Sequence, residues 1–152
     1  MKAAVLGSAD CLADDLMRLA DLGPWDGLVV VVNETGVFYP HDIDVWVTMH
    51  GEKLDWWRSH RTGNDDHEAI VAPECGGSSG AAAVLEALKL ADKVVLCGMP
   101  MDKRPHLRRP GGWLPADSHH GWWEQNKDQL VNVRSMSGWT RELLGAPTKE
   151  WL

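Results

Sequence analysis

Leu28–Val32 reads Leu-Val-Val-Val-Val, apolar at every position. A strand with one solvated face alternates apolar and polar side chains. A strand that never alternates is covered on both faces, as happens where crossover helices sandwich a parallel sheet. Comparable short apolar runs occur at Lys2–Leu6, Val45–Thr48, Ala69–Ala72, Val94–Cys97 and, more weakly, Val131–Arg134.

Helical segments separate these runs. Leu12, Leu16, Leu19 and Leu22 share one stripe of a helix, with Asp14, Asp15, Arg18 and Asp21 off it. A short helix carrying Trp56, Trp57 and Arg58 starts near Glu52, and a polar turn covers Arg61–His67. An Ala/Leu-rich helix spans roughly Gly80–Leu90, a further one spans Gly121–Gln129, and Ser137 caps a helical turn at Trp139–Leu144. Strands that alternate with helices throughout predict an α/β chain. The expected architecture is a single doubly wound, mostly parallel, Rossmann-like sheet of about five or six strands, helices on both faces. Residues 1–152 are read as one domain.

In open parallel sheets, ligands gather at the carboxyl ends of the strands. Gly7 and Ser8 follow the first run, Asn33 the second, Thr48 and His50 the third, and Gly98 and Asp102 the Val94–Cys97 run. The loop Gly76-Gly77-Ser78-Ser79-Gly80 opens the central helix, whose first N–H groups lack intrahelical acceptors at its positive end. Ser78, Ser79 and Gly80 are therefore candidates to hold a phosphate or carboxylate. The same loop reads equally well as an ordinary serine-capped helix, and Asn33 as the start of an Asx turn. No Gly-Lys-Ser/Thr closes the loop, so it is not a Walker A motif. No GxGxxG follows the first strand, which argues against a dehydrogenase.

A net charge of -7 argues against a protein built to grip nucleic-acid backbone. The apolar runs are far too short to span a bilayer, and the N-terminus turns polar too early for a secretory signal. Cys11, Cys75 and Cys97 contain no CxxC pair and read as reduced thiols of a cytoplasmic protein. Cys97 reads as a buried structural thiol. Residues 98–121 are irregular, with Pro100, Pro105, Pro110 and Pro115 among them, and carry a basic island, Lys103, Arg104, Arg108 and Arg109. That island could close over an anion or be a solvated loop. Asp102, His106, His119 and His120 are suitable metal ligands but form no tight motif such as HExxH. No GxSxG elbow supports a serine nucleophile. Of nine tryptophans, most should pack the core, with one or two available to a flat ring.

The run of features Gly7-Ser8, Asn33, Asp44-Val45-Trp46-Val47-Thr48, Ser78-Ser79-Gly80, Val94-Val95-Leu96-Cys97-Gly98-Met99-Pro100-Met101-Asp102 and His119-His120 resembles the bacterial lipooligosaccharide sialyltransferases. It is also similar to the related DUF115 group of flagellin-glycosylation and pterin-pyrophosphokinase-like proteins. The Ser78–Met101 and Arg134–Thr148 stretches resemble small uncharacterised proteins of tailed phages. The resemblance implies a nucleotide or nucleotide-sugar ligand held by Gly7, Ser8, Asn33, Ser78, Ser79, Gly80 and Gly98. It implies glycosyl or phosphoryl transfer, with His119 or His120 as base and Asp102 beside it. A divalent metal is compatible with this chemistry but not required, and a homo-oligomer is left open. The first turn, Gly-Ser-Ala-Asp, is shorter than the family's glycine turn, and Tyr39 is the only tyrosine. The alternatives are a phage nucleotide-binding module without catalysis, or a phage assembly or interaction protein that reuses the fold.

Overall fold

The apolar runs pair with one another because buried backbone must find its hydrogen bonds within the protein. The computed structural model describes residues 1–64 and 66–152. Its strands are β1 (Lys2–Leu6), β2 (Leu28–Val32), β3 (Val45–Thr48), β4 (Glu68–Val71), β5 (Lys93–Cys97) and β6 (Val133–Ser135). They form one sheet in the order β4-β3-β2-β1-β5-β6, parallel at every pairing. In register, Val5 sits between Val30 and Leu96. The chain is a Rossmann-like α/β fold.

Alternate strand residues feed two cores. Ala3, Val5, Val30, Val32, Val45, Val47, Val94 and Leu96 pack beneath α4 (Ser79–Leu90), together with Trp123 of α5 (Ala116–Gln125) and Leu144 of α6 (Gly138–Leu144). Ala4, Leu6, Val31, Trp46, Val95 and Cys97 face the other way. There they meet Leu12 and Leu19 of α1 (Leu12–Leu22), Val37 of α2 (Thr35–Phe38), and Leu54 and Trp57 of α3 (Gly51–Ser59). Topology explains the division. The chain steps outward from β1 to β4, then returns to build β5 and β6 on the other side. Crossovers of one hand then place the two sets of helices on opposite faces. The alanines of α4 (Ala81, Ala82, Ala83 and Ala87) are buried and let the helix lie close across β1, β2, β3 and β5.

Four local expectations change. Asp15 is fully buried rather than solvated: it shares the buried stripe of α1 with Leu12 and Leu19 because protein donors surround its carboxylate. The helix expected at Gly121–Gln129 begins earlier, after Pro115, so that His119 and His120 lie inside it. It ends at Gln125, with a separate 3-10 turn at Lys127–Gln129. The last strand starts at Val133, not Val131, which is exposed. Within the predicted turn Arg61–His67, Asp65 lies outside the described residues, and Arg61 is buried.

Candidate functional site

Strand order reverses between β1 and β5, which opens a crevice at their carboxyl ends. Two glycines bring the loops after these strands into contact. The Gly7 N–H donates to the Cys97 carbonyl at 2.9 Å and the Ala9 N–H to the Gly98 carbonyl at 3.1 Å. A Cβ on Gly7 would lie 2.5 Å from the Gly98 oxygen, and one on Gly98, whose φ is +65°, would lie 2.6 Å from the Gly7 oxygen. These glycines let the two backbones pack against each other. Gly7, Ser8, Asn33, Ser78, Ser79, Gly80 and Gly98, drawn from four loops, all line one cleft of about 500 Å³, and Asp102 lines it with them.

At the start of α4, Ser78 holds φ 89° and ψ 169° and makes no side-chain cap. Such backbone is strained for a residue with a side chain. The first intrahelical bond runs from the Ala82 N–H to the Ser78 carbonyl at 3.1 Å. The N–H groups of Ser79, Gly80 and Ala81 therefore have no acceptor within the helix. The serine-capped alternative is not what forms. Ser79 instead turns its oxygen to the Met49 N–H at 3.3 Å.

A second lobe of about 860 Å³ continues the cleft towards β3, lined by Met49, His50, Lys53, Trp57, Arg109 and His119. Ser8, Asn33, Ser78, Ser79, His106 and Trp113 line both lobes.

The 98–115 segment is tied down across the cleft. The Leu107 N–H donates to the Ser8 carbonyl at 2.6 Å and the Asp10 N–H to the Pro105 carbonyl at 2.9 Å. The basic island supplies fasteners: Lys103 pairs with Asp117 at 2.9 Å, Arg104 with Asp102 at 2.7 Å and Arg109 with Glu34 at 3.3 Å. Arg108 lies over the Phe38 ring at 5.1 Å. Burial pushes the Asp102 carboxyl up, but the two-pronged bond from Arg104 outweighs it and holds the group below the usual carboxylate range.

Of the histidine pair, His119 reaches the second lobe, with Nδ1 3.4 Å from the Gly76 carbonyl. His120 lines neither lobe. It stacks on Trp139 at 3.7 Å and 2°, and its Nε2 is 2.6 Å from the Met101 carbonyl, a bracing position. His106, weighed from the sequence only as a metal ligand, sits at the junction of the lobes, with Nδ1 3.4 Å from the Ser8 hydroxyl. His106, Trp113 and His119 form an aromatic ladder, with ring centroids 5.2 and 5.5 Å apart. Trp113 lines both lobes and Trp57 the second, whereas Trp46 and Trp123 are buried in the two cores. Cys97, as expected, is buried, and burial pushes its thiol up.

No family model, curated protein or solved structure matches this chain. Among the described residues no three His, Cys, Asp or Glu side chains gather to hold a metal, so Asp102, His106, His119 and His120 do not form a site together. No helix is long and apolar enough to cross a membrane among those residues.

Burial pushes the His106 imidazole below its ordinary value; Glu34 opposes this and Arg109 adds to it. A depressed folded value means that the unfolded chain takes up the proton more readily. The stability His106 contributes is therefore present above about pH 6.5 and is lost as the pH falls below that. An NMR titration should give His106 a midpoint below the ordinary histidine range. A midpoint above that range would contradict the half-buried position.

Proposed function

We propose that this chain binds a nucleotide or nucleotide-sugar across the two-lobed cleft at the β1/β5 switch point. The observation that carries this reading is convergence. Four separate loops bring their candidate contacts to one rim, around the uncapped start of α4. A phosphate would meet the N–H groups of Ser79 and Gly80. A base would lie beside the His106-Trp113-His119 ladder, which turns aromatic surface to the cleft. The second lobe then has room for a sugar or an acceptor. The resemblance read from the sequence implies transfer as the reaction, with a histidine taking the proton of an acceptor hydroxyl. Under this reading His119 or the junction residue His106, which line the cleft, would take that role rather than His120, which does not line it.

One observation favours binding without catalysis. Asp102 is occupied by Arg104 and His120 by Trp139 and the Met101 carbonyl. Asp102 and His120 are therefore engaged in structural contacts.

A thermal-shift screen against nucleoside mono-, di- and triphosphates and CMP- and UDP-sugars, with and without Mg²⁺, tests the reading. At about a hundred times Kd, a ligand adds roughly 2.7 kcal/mol, or about 5–10 °C for a domain of this size. Trp113→Ala should at least halve the shift. A flat screen would reject the nucleotide.

A further inference from the structure

The end of β3 fixes the hydrogen-bonding polarity of the cleft. The His50 N–H donates to the Thr48 hydroxyl oxygen at 2.9 Å, and the Thr48 hydroxyl donates to Asn33 Oδ1 at 2.7 Å. Thr48 is fully buried. If the Asn33 amide were turned over, Thr48 would accept two hydrogen bonds while its own hydrogen found no acceptor, a costly arrangement in the interior. The amide is thus held with Oδ1 inward and Nδ2 outward. Asn33 is itself pinned: its φ is 50°, a conformation Asn tolerates, and its carbonyl accepts from Trp46 Nε1 at 2.7 Å.

Ser79 is treated the same way. The Met49 N–H donates to its oxygen at 3.3 Å, and the side chain is 4% exposed. Both side chains line both lobes. Their acceptor atoms are engaged by consecutive residues of the β3 end. Among the described residues, neither the Asn33 Nδ2 hydrogens nor the Ser79 hydroxyl hydrogen has an acceptor.

We infer that Asn33 and Ser79 form a subsite that turns hydrogen-bond donors to the ligand and selects an oxyanion, a phosphate or carboxylate, on it. This rests on the cleft being a ligand site and adds which part of the ligand is read there, and by what. The two side chains bring neutral donors to it. Of the cations that line the cleft, Arg104 and Arg109 are already paired with Asp102 and Glu34, and Lys53 lines the second lobe beside the subsite.

Asn33→Asp is the discriminating change. It keeps an oxygen for Thr48 and tolerates the same backbone, but it replaces the outward donors with a carboxylate. Calorimetry would compare wild type, Asn33→Asp and Ser79→Ala with three probes: nucleoside monophosphates, the matching uncharged nucleosides, and lactate as a simple carboxylate. Wild type should bind a monophosphate or lactate, which identifies the source of the oxyanion. Asn33→Asp should weaken that probe about 100-fold and Ser79→Ala about tenfold. The melting temperature of Asn33→Asp should stay close to that of wild type. Equal binding of the anionic probe by wild type and Asn33→Asp would overturn the inference alone. Nucleosides bound as tightly as monophosphates would also overturn it, while leaving the cleft a ligand site. A wild type that takes up none of the probes would overturn the reading of the cleft and the inference with it.

Discussion

Asp15→Ala is expected to cost about 3 kcal/mol of stability, which lowers Tm by about 6–12 °C for a domain of this size. The carboxylate is fully buried. Its Oδ2 accepts from the Gly98 N–H at 2.8 Å and the Ser137 hydroxyl at 2.7 Å, and the Cys11 thiol lies 3.6 Å away. Oδ1 takes Arg18. Alanine would strand the Gly98 and Ser137 donors in the interior, and the desolvation penalty of each would go uncompensated. Arg18 is half exposed and can return to water. Asp15→Asn should recover little, because whichever way its amide turns, an NH₂ group faces either Arg18 or the Gly98 N–H. Urea melts of both variants measure this. A loss below about 1 kcal/mol would show that water replaces the carboxylate. The Gly98 amide, which borders the cleft, should also exchange faster in Asp15→Ala.

Arg61→Ala should cost a similar amount, about 3 kcal/mol. Arg61 is 8% exposed and donates to the carbonyls of Gly36, Tyr39, His41 and Asn64 at 2.7–2.9 Å. Its planar fork gathers the segment that holds α2, which a lysine with one nitrogen cannot reproduce. Arg61→Lys should therefore lose roughly 2 kcal/mol rather than behave conservatively. The segment matters because Gly36 lies flat against Trp46, where a Cβ would come within 2.3 Å of the indole. Trp46 in turn donates to the Asn33 carbonyl. Loosening α2 should thus weaken ligand binding at Asn33 as well as the fold. Chemical denaturation and calorimetry on the same variants read both effects. An Arg61→Ala protein as stable as wild type would refute the role given to the fork.

The apolar runs from Leu28, Val45 and Val94 announced buried parallel strands, because burial on both faces leaves no polar position to alternate. The short loops after them placed Gly7, Asn33 and Gly98 at one rim, since every strand of a parallel sheet ends on the same side. Both inferences need only local pattern and topology. The basic island read from its composition as an anion clamp or a solvated loop; the structure gives Lys103, Arg104 and Arg109 carboxylate partners. Of those partners, only Asp102 is close in sequence to its cation.

What the amino-acid sequence determined by itself was the sheet, its two cores and the set of loops at its carboxyl edge, because hydrophobic period and glycine placement act over a few residues. Tertiary structure alone decided the chemistry of that edge. The burial of Asp15 depends on Ser137, 122 residues away, and on Gly98, 83 residues away. The outward donors of Asn33 depend on Thr48, and the place of His106 at the cleft depends on the 98–115 segment carrying its ring to Ser8. A polar group's role is set by the partner that meets it, and those partners are brought together only when distant segments pack.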